Sequence, residues 1–160
     1  MTSQTPQMLL AASGSVASRR ATVVAAELAS TFDAQLTVLH VVPPTEYRVG
    51  RLAPTLPITR RLDDPLRSAV LADARRLAWA QGVVAKPILI AGDPAPVIVA
   101  VAVELGADLL VIGHSRQMLS SALTAKTRRW LNAHAPCPVL PVKAERPTPR
   151  QHAVEPVLVT

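Results

Sequence analysis

Five short apolar runs recur along the chain and predict buried β-strands. They cover residues 8–12, 36–42, 84–91, 109–113 and 135–143. The runs are largely continuous rather than alternating with polar residues, which is typical of strands covered on both faces. Such coverage arises where helices pack on both sides of a sheet.

Helical patterns fill the intervals between the strands, at residues 16–30, 65–81, 94–105 and 124–134. In the first of these intervals, Val16, Val23, Val24 and Leu28 recur at helical spacing and predict a helix. Strands that alternate with helices require right-handed crossovers between parallel strands. The pattern therefore predicts an α/β fold, a parallel sheet with helices on both faces.

Capping residues predict where two of these helices begin and end. For the second helix, Asp64 is expected at the N-cap and Pro65 in the first turn. For the third, Asp93 is expected at the N-cap, Pro94 at the first helical position and Gly106 at the stop.

Two segments break the periodicity. Residues 43–64 contain four prolines and four arginines, and we interpret them as a solvated loop, with a phosphate-facing lid as the alternative. Residues 144–160 form a Pro-rich tail that is either flexible or paired as a strand with a neighbouring sheet. Residues 1–143 are expected to form one domain.

Composition narrows the class of protein. The 160 residues suffice for one core, but only 2% are aromatic, so aliphatic residues and alanine must provide the packing. The net charge of +6 favours phosphate-bearing partners. Because no stripe of basic residues is interleaved with aromatics, nucleic-acid binding is disfavoured.

The expected location is the cytoplasm. A single cysteine, Cys137, excludes an internal disulfide and fits a reducing compartment. No apolar run reaches the roughly 18 residues needed to span a membrane. The N-terminus lacks the basic start of a signal peptide.

Three segments together resemble the universal stress protein family: LLAASGSVAS at residues 9–18, AGDPAPVIVAVAVELGADLLVIGHS at 91–115 and HAPCPVLPVK at 134–143. The resemblance extends over about residues 7–143. It implies a Rossmann-like five-stranded parallel sheet in the order 3-2-1-4-5, a stress-response or regulatory role and a homodimer. Many family members bind ATP or a related adenine nucleotide, whereas others bind none.

The ligand crevice of such a sheet lies at the carboxyl ends of its strands, where the strand order reverses. Here it falls between the first strand, followed by Ser13 and Gly14, and the fourth strand, which ends at Gly113. Val41, near the end of the second strand, is expected to form a wall for the base.

The phosphate loop departs from the pattern of the ATP-binding members, which is Gly-x-x-Gly, nine further residues and then Gly-Ser/Thr. Gly113 matches the first glycine, but Arg116 occupies the second position. Ala125 and Lys126 occupy the Gly-Ser pair, with Lys126-Thr127 as a loosely shifted replacement. Ser13 stands where binders usually have an aspartate. These departures predict weakened or lost ATP binding, with Mg²⁺ required only if ATP binds.

An alternative is an anion site of a different shape. Hydroxyl and basic side chains crowd the loop after His114 and could bind AMP, a smaller phosphate or sulfate at the N-terminus of the last helix, but they also fit a hydrophilic surface loop. They are Ser115, Ser120, Ser121, Thr124 and Thr127 with Arg116, Lys126, Arg128 and Arg129. The anion site would make the protein a ligand-binding sensor, whereas the surface loop would leave it a module that acts by binding a partner. Both interpretations remain open.

No catalytic set is evident in the sequence, so we expect no enzyme, with a slow ATPase as the remaining alternative. No Ser-His-Asp arrangement, paired histidines or paired carboxylates occur at a recognisable spacing. His114 is interpreted as a polar loop residue and His40 as a hydrogen-bonded core histidine.

Two further features bear on assembly. Trp79 and Trp130 lie on predicted helices and are expected to pack in the core or on a dimer surface. Pro141 removes a backbone donor from the predicted edge strand, so a dimer must use a modified edge contact or another surface.

Overall fold

The computed structural model describes residues 4–43, 60–61, 65, 68–114 and 125–144. These ranges contain all five predicted strands and most of the four predicted helices. The predictions for Ser115, Arg116, Ser120, Ser121 and Thr124, for most of the 43–64 segment and for the tail after residue 144 lie outside the described residues.

The sheet consists of β1 (Gln7–Ala12), β2 (Gln35–Val42), β3 (Arg60–Arg61), β4 (Lys86–Ala91), β5 (Leu109–His114) and β6 (Val139–Lys143). Its order is β3-β4-β2-β1-β5-β6, and only the two-residue β3 is antiparallel to its neighbour. The five parallel strands have the predicted order 3-2-1-4-5, which confirms the predicted fold. β3 adds a short edge strand within the segment predicted as a loop.

Four helices cover the two faces of the sheet: α1 (Val16–Phe32), α2 (Ala69–Ala80), α3 (Pro94–Leu105) and α4 (Ala125–His134). Alternate residues of each strand enter one of two cores. Leu10 and Val38 join the core under α1 and α2, whereas Leu9 and Leu39 join the core under α3 and α4. The prediction of helices on both faces is therefore confirmed.

The buried face of α1 does not coincide with the apolar residues whose spacing predicted the helix. Val16 is 73% exposed, and Val23, Val24 and Leu28 are only half-buried. The fully buried positions carry small side chains: Ala17, Ser18, Ala21, Thr22, Ala25, Ala26 and Ala29. Because these side chains are short, the helix backbone can lie close to the sheet.

The predicted start of α2 is four residues too early. The helix begins at Ala69, and the hydroxyl oxygen of Ser68 accepts a hydrogen bond from the Leu71 amide at 3.3 Å. The bounds of α3 are confirmed, since Asp93 occupies the N-cap and Gly106, with φ of 60°, ends the helix. The Asp93 side chain makes no capping hydrogen bond.

Candidate functional site

The carboxyl ends of β1 and β5 lie side by side at the point where the strand order reverses. β1 leads into α1 on one face of the sheet, and β5 precedes α4 on the other face. β1 and β5 pair in register up to Ala11 and Ile112. Ser13 and His114 therefore each lie two residues beyond the last pair, on opposite sides of the predicted crevice.

Hydroxyl groups occupy the β1 side of the crevice. Gly14 has φ of 75°, which turns the chain sharply between β1 and α1. Ser15 caps α1 by accepting a hydrogen bond from the Ser18 amide at 3.1 Å, and its Oγ lies 3.2 Å from Ser13 Oγ. The contact between the two hydroxyls uses one of their two O–H groups, so the pair can donate a further hydrogen bond to a ligand.

Gly113 is required by the packing of α1 on β5. A Cβ atom placed on this glycine would lie 2.5 Å from the Ser18 amide nitrogen and 2.7 Å from the Ala17 carbonyl carbon. Both are backbone atoms that cannot rotate away. The glycine therefore has a structural role that is independent of any phosphate, whereas the sequence indicated only a loop glycine.

Arg128 of α4 lies against His114 at the end of β5. Its Nη1 atom is 3.0 Å from His114 Nε2 and also contacts Nδ1, and both side chains are half-buried. A guanidinium group can only donate hydrogen bonds, so a ring nitrogen of His114 accepts in this contact. The sequence grouped Arg128 with the other cations near this loop as a candidate anion site, but it did not single out Arg128 from Lys126 and Arg129.

The remaining predicted residues of α4 lie differently. Lys126 is exposed and Thr127 is half-buried. Arg129, which follows Arg128, is exposed as well. Among the basic residues described in the first turns of α4, Arg128 is thus the one that contacts the sheet.

Val41 is buried in the core under α3 and α4, and its role as a wall for the base remains a prediction. His40 precedes it, and its Nδ1 atom lies 2.8 Å from the carbonyl oxygen of Ala12. Because a carbonyl only accepts, Nδ1 carries the proton. This bond ties the end of β2 to the end of β1 and gives His40 the hydrogen-bonded position expected from the sequence.

Among the described residues, Asp73 and Cys137 have shifted pKa values, and both lie outside the crevice. Hydrogen bonds from Arg76 and Arg19 hold the pKa of the Asp73 carboxyl below its ordinary value of 3.8, and the pair with Arg19 links α2 to α1. Partial burial and the nearby Asp108 charge raise the pKa of Cys137. These groups support the fold and do not act on the crevice.

This arrangement, a Rossmann-like parallel α/β sheet with a polar crevice at its switch point, defines a broad class of ligand-binding folds. The chain also matches the model of the universal stress protein family over residues 5–143. It is 30% identical to universal stress protein YxiE of Bacillus subtilis strain 168 over 146 residues, which cover 86% of this chain and 98% of the relative. The chain therefore belongs to the universal stress protein family.

Solved structures agree with this assignment at the level of the fold. A universal stress protein crystallised in complex with cAMP is 22% identical and has a TM-score of 0.66, covering 89% of this chain and all of that one. A family member from Arabidopsis thaliana with AMP bound is 23% identical and has a TM-score of 0.59, covering 92% of this chain and 98% of that one. None of the helices in the described ranges combines the length and the apolar character needed to cross a membrane.

Proposed function

We propose that this chain is a non-catalytic regulatory protein of the cytoplasm that binds an adenine nucleotide between β1 and β5, with weakened affinity for ATP. The observation that carries the proposal is the set of polar groups at the switch point. The hydroxyls of Ser13 and Ser15 lie on the β1 side, and Arg128 contacts His114 on the β5 side. The relatives crystallised with cAMP and AMP suggest the class of ligand.

The sequence of the crevice supports weak binding of a triphosphate. Ser13 offers a neutral hydrogen bond worth about 0.5–1.5 kcal/mol, where a carboxylate would give about 1.5–3 kcal/mol. Arg116 and Lys126 replace a glycine and a serine of the family pattern. A non-glycine residue forced into a left-handed conformation costs a further 1–2 kcal/mol, roughly.

The contact of His114 supports a non-catalytic role. A general base must direct a ring nitrogen at the proton that it removes, whereas the His114 imidazole accepts from Arg128. We expect no release of phosphate from ATP above the rate in buffer, with or without Mg²⁺. ATP hydrolysis that disappears in His114→Gln would contradict the proposal.

A thermal-shift panel with AMP, ADP, ATP and cAMP tests the binding proposal. Ligand at a hundred times its Kd stabilises a folded protein by about 2.7 kcal/mol. For a chain of this length the melting temperature should rise by roughly 5–10 °C. We expect a larger rise with AMP than with ATP at equal concentration, and no rise with any of the four at millimolar concentration would refute binding.

The cytoplasmic part of the proposal rests on the lone Cys137, because small secreted domains are typically stabilised by disulfides and this chain can form none internally. Fractionation of the native cells, followed by immunodetection, tests it directly.

We also propose that the chain forms a homodimer through α2 rather than through the β6 edge. The Leu110 amide donates to the Pro138 carbonyl, so the backbone N–H and C=O groups of residues 138, 140 and 142 point toward β5. The backbone groups of Val139, Pro141 and Lys143 point toward the open edge of the sheet. Pro141 thus removes the central donor from the outer edge of β6. Continuous pairing of two such edges would lack its middle hydrogen bond.

The α2 surface offers an apolar alternative. Trp79 is 70% exposed and Val84 is 74% exposed, and together they line a 460 Å³ groove between α2 and the start of β4. Sedimentation velocity tests this dimer with Trp79→Ser. Val103→Ser is the matched control, since Val103 is 61% exposed on α3, on the other face of the sheet. A wild-type monomer, or a dimer that Trp79→Ser leaves intact, would contradict this assignment.

A further inference from the structure

We propose that Arg128 is the phosphate-binding residue of the crevice and makes it selective for a nucleoside monophosphate over a triphosphate. This inference rests on the proposed adenine-nucleotide binding, and it assigns the selectivity to one side chain. The family pattern of the phosphate loop ends at the pair that Ala125 and Lys126 occupy here, so it does not extend to Arg128.

The position of Arg128 is set by the rotation of α4 about its own axis, which determines the residues that face the sheet. Three cations occur among the first five residues of the helix, Lys126, Arg128 and Arg129. Lys126 and Arg129 are exposed, whereas Arg128 is half-buried and reaches His114, the last residue of β5. Its positive charge therefore lies at the carboxyl end of the central strands, on the side of the first turn of α4, where the helix dipole also favours an anion.

The contact with His114 orients the guanidinium and leaves some of its N–H groups available to a ligand. Both contacts with the imidazole use Nη1. In the part of the chain that the structure describes, Nη2 and Nε of Arg128 can still donate to a ligand. A phosphate oxygen carries negative charge, so its hydrogen bond with a guanidinium is stronger than the bond that an uncharged imidazole nitrogen accepts. His114 is thus a positioning residue that holds the planar fork in place.

The preference for one phosphate follows from the shape of this donor set. A guanidinium fork binds a single phosphate through two parallel hydrogen bonds. A triphosphate needs successive donors along its length, and the sequence carries Arg116 and Lys126 where the family pattern has glycine and serine.

Isothermal titration of adenosine, AMP and ATP into the full chain and three variants tests the inference. We expect the wild type to bind AMP more tightly than adenosine or ATP. Arg128→Gln should raise the Kd for AMP about 10- to 100-fold, the loss of a charged hydrogen bond, and leave adenosine within about twofold. Arg129→Gln removes the same charge from the exposed side of α4 and should leave the AMP affinity within about twofold. Arg128→Lys keeps the charge without the fork and should fall between the two.

The outcomes separate the inference from the proposed function. If the wild type binds none of the three ligands, adenine-nucleotide binding is refuted and the inference fails with it. AMP binding that Arg128→Gln leaves unchanged, or weakens no more than Arg129→Gln does, refutes the inference alone. Equal affinities of the wild type for adenosine and AMP also refute it, because the phosphate would then make no contact. If Arg128→Gln does not fold, the Arg128→Lys arm decides, and an unchanged preference for AMP over ATP in that variant counts against the fork.

Discussion

Gly113→Ala is the substitution that most directly tests the packing of α1 on β5. The change adds one methyl group, yet that group would lie 2.5, 2.7 and 2.8 Å from three backbone atoms of Ala17 and Ser18. Gly113 does not have a positive φ, so alanine meets no conformational barrier there. The whole cost must come from the displacement of α1 relative to the sheet.

The magnitude follows from opposing contributions. Overpacking a core costs typically about 1–3 kcal/mol, and rigid backbone neighbours place this site at the upper end. Alanine regains roughly 0.5–1 kcal/mol relative to glycine in a strand. We therefore expect a net destabilisation of about 2 kcal/mol, or roughly 4–8 °C in melting temperature for a chain of this size.

Urea unfolding followed by circular dichroism measures this loss, with Gly82 as the matched control. A Cβ on Gly82 meets nothing within 4 Å, but its φ is +77°. Substitution there should cost about 1 kcal/mol from backbone strain alone, with no increase from alanine to leucine, which is not branched at Cβ. At Gly113 the cost should increase with side-chain size. Stability of Gly113→Ala within about 0.5 kcal/mol of the wild type, the usual range for a surface substitution, would refute the packing argument.

Three further predictions concern the N-terminal cap of α1, the contact between α1 and α2, and the phosphate loop. Ser15→Ala removes the cap of α1 and should lower the free energy of unfolding by about 1 kcal/mol in urea titrations; an unchanged midpoint would show that the cap contributes nothing. Asp73→Asn should destabilise by less than about 1 kcal/mol at pH 7, because this carboxylate is 34% exposed. Since folding lowers the pKa of Asp73, its contribution is present above pH 3.8 and disappears as the pH falls through the folded value, so wild type and variant should converge in acid. Arg116→Gly should increase ATP affinity in a titration, and an unaltered affinity would place the ligand elsewhere.

The order of the strands was predictable because apolar runs and helical intervals are properties of local sequence. The buried face of α1 was not, because valine is a stronger indicator of burial than alanine. The close approach of α1 to Gly113 reverses that preference, since only short side chains fit beneath the helix. This is a tertiary constraint that the spacing of valines does not reveal.

The candidate site was predictable in part for a similar reason. Ser13, Gly14, Gly113 and His114 follow strands whose ends could be read from the sequence. Arg128 lies 14 residues beyond His114, and whether it points at the sheet depends on where α4 begins and on its rotation about its own axis. A change of one residue in that phase would direct Arg129 at the strand instead.

Pro141 also bears on how the folded protein behaves at high concentration. An exposed strand with a full row of amides is a template on which further chains can stack into aggregates. β6 has five residues, and its outward amides are limited to those of Val139 and Lys143. An incoming strand would meet a pyrrolidine ring at the centre and a lysine charge at the end, so this side of the sheet protects the protein against uncontrolled growth into fibres.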